Sequence, residues 1–147
     1  MAKHTFALEQ VLNYRKEVER MRTLELVAAR QEFEKASDLL EREEKKVVSL
    51  NTEFLDRQRD GISAMELQIY ADFFQRKSKD IKRQRLEADT LNSRMEEKRD
   101  ILIGAAKEKK VLESLKEKKV LAQKRELSEK ERAFLEELAL RNREGGR

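Results

Sequence analysis

The sequence of 147 residues has no proline, no cysteine and no tryptophan, and only four glycines. Without proline, nothing in the chain locks φ or deletes a backbone donor, so helices can run uninterrupted over long distances. Without cysteine there are no disulfides, no thiol nucleophile and no thiolate metal ligand, and the redox compartment is left open. His4 is the single histidine, so neither a catalytic His pair nor a helical metal pair can form, and no G-x-x-x-x-G-K stretch is present. The many carboxylates are spread along helix faces with no pocket to shift their pKa values. A non-enzyme is therefore expected, with no catalytic, cofactor-binding or metal-binding residues and no small-molecule substrate.

Long apolar runs are missing as well. The longest, Ile101–Ala106, is far too short to cross a bilayer. The opening Met1-Ala2-Lys3-His4-Thr5-Phe6 leads into a charged stretch rather than an apolar signal core, and Ala2 does not suit myristoylation. These features lead us to expect a cytoplasmic protein.

Charge fills the space left by the core. Charged residues are 44% of the chain, hydrophobic residues 38% and aromatics 5%, with 34 basic and 30 acidic residues giving a net charge of +4. Interspersed charge with apolar residues at helical spacing suits narrow stripes on solvated helices, not a globular core or a disordered chain. Nucleic acid is not expected as a partner. The net charge is mild, and no basic block is clean of acids in the way a basic-region helix requires.

The long helical pattern breaks once, around Gly61. A glycine there can adopt the left-handed conformation that ends a helix, with Arg57 and Arg59 near the last carbonyls. Ser63 and Glu66 have capping-box spacing, and Ile62 and Leu67 occupy the two positions of a hydrophobic staple. A stop and a start this close make a hairpin. The predicted fold is all-α, an antiparallel two-helix coiled-coil hairpin forming one domain. Helix 1 is expected over about 6–59, the turn over 60–63, helix 2 over 64–141 and a frayed tail over 142–147.

Heptads support this. Phe33, Leu40, Val47 and Phe54 are spaced by seven, with Ala36 and Leu50 between them. Nearer the start, Val11 and Val18 pair with Tyr14, Met21 and Ala28, which predicts a frame shift somewhere in 25–33. On the second helix, Leu67, Phe74, Ile81, Ala88, Met95 and Leu102 form one row. Tyr70, Lys77, Gln84, Leu91, Lys98, Ala105 and Leu112 form the other. Such rows pack as knobs into holes.

Geometry leaves a surplus at each end. Helix 1 is expected to reach back to about Leu112, so residues from about Glu113 to Arg141 would overhang by roughly 40 Å at about 1.5 Å per residue. The overhang stays amphipathic through Val120, Leu127, Phe134 and Leu138, and an apolar stripe without an intramolecular partner suits another protein or a second copy. Near the turn, Val48 and Leu55 lie off the seam of helix 1, and Ile69 and Phe73 lie off the seam of helix 2 on a shared face. Between Lys107 and Arg132 there are ten basic and six acidic residues. Lys109, Lys110, Lys118 and Lys119 stud this stretch and could steer an acidic partner.

Three segments then resemble the FliJ family of flagellar export proteins. They are the opening Phe6-Ala7-Leu8-Glu9-Gln10-Val11-Leu12-Asn13-Tyr14-Arg15-Lys16-Glu17-Val18-Glu19, the turn Gly61-Ile62-Ser63 with Tyr70 and Phe73, and the ending Glu131-Arg132-Ala133-Phe134-Leu135-Glu136-Glu137-Leu138-Ala139. Glu136 stands where the family usually has aspartate. The resemblance implies a stalk-like coiled coil that binds the ring of the export ATPase FliI, engages the export gate protein FlhA, and escorts export chaperones, at the inner face of the membrane. ATPase-binding candidates are Leu8, Val11, Arg15, Val18, Lys109, Lys110, Lys118, Lys119, Leu127, Phe134 and Leu138. Gate-binding candidates are Val48, Leu55, Ile69 and Phe73, chosen as surplus apolar residues. Gly61, Ser63 and Glu66 make the turn. A virulence-type secretion stalk and a structural, self-associating coiled coil are the alternative readings.

Overall fold

The computed structural model describes residues 6–145; His4 lies outside the described residues. There are two helices, α1 (Glu9–Asp60) and α2 (Ala64–Gly145), and no strand among the described residues. α2 runs four residues beyond the expected end at 141, since no proline or glycine falls between Arg141 and Glu144. Arg141 closes an i,i+4 ion pair with Glu137 at 3.2 Å in its last turns. Two compact units result, one from the beginning of α1 with the residues after Ile103, the other from Met21–Ile103.

In the second unit the turn is built as its residues dictate. Gly61 has φ of 96° and is the only described residue with a positive φ, so a side chain there would be strained. Ser63 Oγ accepts a hydrogen bond from the Glu66 amide at 3.1 Å, and the Ser63 carbonyl accepts one from Leu67 at 3.0 Å. Glu66 does not complete the reciprocal half of a capping box. Its carboxylate instead lies 3.8 Å from the Arg57 guanidinium across the turn. Ile62 is half-buried, whereas Leu67 stays exposed.

Beyond the turn, α1 and α2 pack antiparallel in this unit. Phe54 meets Tyr70 and Phe74 with ring centres 5.0 and 5.7 Å apart. Farther along, Lys77 binds Glu43 at 2.6 Å, Arg85 binds Glu44 at 2.8 Å, and Lys98 approaches Glu25 to 3.7 Å. Two of the three polar positions on the α2 seam are thus paired. The third is not: Gln84 Oε1 is buried with no hydrogen-bond partner among the described residues. Leucine at that position would remove an unsatisfied acceptor and fill the seam. Gln84→Leu is expected to stabilise the chain by about 1–2 kcal/mol, read as a higher urea midpoint; an unchanged or lower midpoint would mean the amide is satisfied.

The α1 seam departs from expectation. Its inward positions run without a break as Leu12, Arg15, Glu19, Arg22, Leu26, Ala29, Phe33, Ala36, Leu40, Glu43, Val47, Leu50 and Phe54, all buried or half-buried. One heptad frame therefore serves the whole helix, and the frame shift expected over 25–33 is absent. The row of Val11, Tyr14 and Met21 stays exposed instead, at 41%, 62% and 57%. Apolar pattern misleads here because charged residues fill seam positions: Arg15, Glu19 and Glu43 are neutralised by α2, and Arg22 by Glu25 on its own helix.

Candidate partner-binding surfaces

In the first unit, the beginning of α1 is held mainly by ions. Leu12, 1% exposed, is the one large side chain it buries completely. Around it, Arg15 pairs with Glu108, Glu19 with Lys109 at 2.7 Å, and Glu9 with Lys116 at 2.9 Å. The Glu19 carboxylate accepting from Lys109 raises the lysine's pKa above its ordinary value, with Glu113 adding to the effect. In the other unit, the Lys77 hydrogen bond lowers the Glu43 pKa below the usual carboxylate value, and Arg22 does the same for Glu25.

These contacts move the boundary of the overhang. In this unit the first turn of α1 comes opposite Lys116 rather than Leu112. Lys119 Nζ lies 5.8 Å from the centre of the Phe6 ring. From Lys124 to Gly145 every residue is exposed. That is 22 residues, or about 33 Å of helix at ~1.5 Å per residue, shorter than the 40 Å expected. Leu127, Phe134 and Leu138 lie on it, and Leu121, Leu135 and Leu140 are exposed beside them.

The register also shifts there. The α2 seam runs on the spacing of Leu102, Lys109 and Lys116, whereas Val120, Leu127 and Phe134 sit four residues later. Four residues is about 40° further around the helix at ~100° per residue. The exposed stripe is thus not a simple continuation of the face that packs on α1.

The lysine candidates divide. Lys109 is taken up by Glu19 and Glu113, and Lys119 by Phe6. Lys110 and Lys118 are exposed. Of the remaining candidates at the beginning of α1, Leu8 and Val11 are exposed, Val18 is half-buried, and Arg15 serves the Glu108 pair.

Near the turn, Val48, Leu55 and Ile69 are exposed, while Phe73 is half-buried with Lys77 Nζ 5.7 Å from its ring centre. The heptad register separates the four. Val48 and Leu55 follow one edge of α1, where Glu44 meets Arg85; Ile69 and Phe73 follow the other edge of α2, where Glu53 meets the Tyr70 hydroxyl at 3.4 Å. Two small apolar strips flank the seam instead of one patch.

No helix is long and apolar enough to cross a membrane, and no metal-ligating cluster occurs among the described residues. The concave features are shallow depressions between side chains of one or both helices, such as that lined by Leu12, Lys16, Glu113, Lys116, Glu117 and Val120.

Two long helices that pack on each other through a charge-studded seam, with one running far past the other, define an all-α helical hairpin. The flagellar FliJ protein family model matches residues 4–145, and the chain belongs to that family. It is accordingly a component of the flagellar export apparatus. No curated protein and no solved structure matches it.

Proposed function

We propose that this chain is a non-enzymatic coupling component of flagellar export. It binds the export ATPase FliI through the exposed part of α2 with the beginning of α1, and meets the export gate protein FlhA nearer the turn. Escort of export chaperones and peripheral placement at the inner face of the membrane belong to the same reading. The observation that supports it best is the fully exposed stretch from Lys124 to Gly145 with its apolar row Leu127, Phe134 and Leu138. An amphipathic helix without an intramolecular partner exposes apolar surface that association would bury.

Electrostatics refine the test. Charge reversal of Lys110 and Lys118 leaves the seam intact, because both side chains are exposed, whereas reversal of Lys109 would break the Glu19 pair. The double reversal is expected to weaken binding of the purified export ATPase about three- to tenfold at low salt and little at high salt, where exposed charges are screened. Pull-down titrations at two ionic strengths read this. Equal binding by both chains at low salt would remove steering from the reading. A stable dimer in sedimentation with no affinity for the ATPase would replace the reading with a structural coiled coil.

A further inference from the structure

The beginning of α1 carries two heptad rows one residue apart, and the structure seats the chain on the more polar one. Leu12, Arg15 and Glu19 face α2, while Val11 and Tyr14 point away and Val18 is half-buried. We infer that this segment has two docking frames on α2, one charged and one apolar, with ion pairs holding it in the charged frame.

The same α2 positions serve both frames. Ala105, Lys109, Leu112 and Lys116 form the receiving face, buried or half-buried. A turn of α1 by one residue, about 100°, puts Val11 opposite Leu112, Tyr14 opposite the aliphatic stem of Lys109, and Val18 opposite Ala105. A one-residue π-bulge in α1 absorbs the step. From Phe33 onward only one row is apolar, so the rest of the helix keeps its frame.

The two frames respond differently to salt. The charged frame rests on Arg15 with Glu108, Glu19 with Lys109 and Glu9 with Lys116, all partly exposed to solvent. Screening weakens such pairs, since the Debye length falls from about 10 Å at 0.1 M to about 3 Å at 1 M. The apolar frame gains its stability from burial, which salt does not weaken. Which frame is populated decides whether Val11 is on offer to a partner; that consequence rests on the proposed function, and the frame change itself does not.

The chain has no cysteine, so single-cysteine variants of the full chain report each position cleanly. Val11→Cys, Tyr14→Cys and Leu12→Cys are labelled with a thiol reagent at about 0.1 M and about 1 M NaCl, with rates corrected for a free-cysteine peptide. At low salt, positions 11 and 14 are expected to react fast and position 12 slowly. At high salt, labelling at 11 and 14 is expected to slow by about threefold or more while position 12 accelerates. Faster labelling at all three positions would mean that the segment merely detaches, and overturns the inference; so would unchanged rates. Positions 11 and 14 are exposed in this structure, so their slowing decides the matter even if Leu12→Cys folds poorly.

Discussion

Phe54→Ala is expected to lower the stability of the full chain by about 2–3 kcal/mol. Phe54 sits where α1 and α2 close on the turn, against both Tyr70 and Phe74, whose own ring centres are 6.5 Å apart. Truncation removes that contact and leaves a void that helices tied by a three-residue turn cannot fully close. Because the ring is half-buried, the loss falls below the ~3–5 kcal/mol usual for a fully buried phenylalanine. Urea denaturation followed by circular dichroism reads the loss. A double-mutant cycle with Phe74→Leu separates the ring–ring term, expected at about 0.5–1.5 kcal/mol. A loss under about 1 kcal/mol would show that the turn end is not where the hairpin is anchored.

The fold was legible because its determinants are local. Gly61 ends α1 and Ser63 begins α2, as the stop and start signals require, and both predicted rows on α2 pack inward from Tyr70 to Leu112. On α1 the apolar pattern alone names the wrong face. Arg15, Glu19 and Arg22 occupy seam positions that hydrophobicity assigns to Tyr14, Val18 and Met21. What decides between the frames is which charges on α2 come opposite, and that is a property of the pairing, not of either helix alone. The same limit explains the lysines. Lys109 and Lys110 are neighbours in sequence, yet one faces Glu19 and the other solvent. Surplus apolar residues were legible, but not their grouping: the register places Val48 and Leu55 on a different edge from Ile69 and Phe73.

Ending the chain at Gln123 is expected to abolish stimulation of the export ATPase while leaving the unfolding midpoint of the remaining hairpin within experimental error. The seam contacts stop short of that point: Glu9 reaches Lys116, Phe6 reaches Lys119, and all residues from Lys124 to Gly145 are exposed. Removing them deletes apolar side chains with no partner among the described residues, so stability has little to lose. Binding has much to lose if Leu127, Phe134 and Leu138 are the contact. Truncating a central aromatic anchor alone costs about 2 kcal/mol or more in well-packed interfaces, and here the whole stripe goes. The experiment compares hydrolysis rates of the purified ATPase with the full chain, with the truncated chain, and with Phe134→Asp in the full chain. The point variant is expected to lose at least about tenfold in apparent affinity, with its helix content unchanged. Full stimulation by the truncated chain would move the ATPase contact onto the beginning of α1 and the lysines beside it. No stimulation by either chain would remove the ATPase from the reading altogether, and leave the exposed stripe to a different partner in the export apparatus.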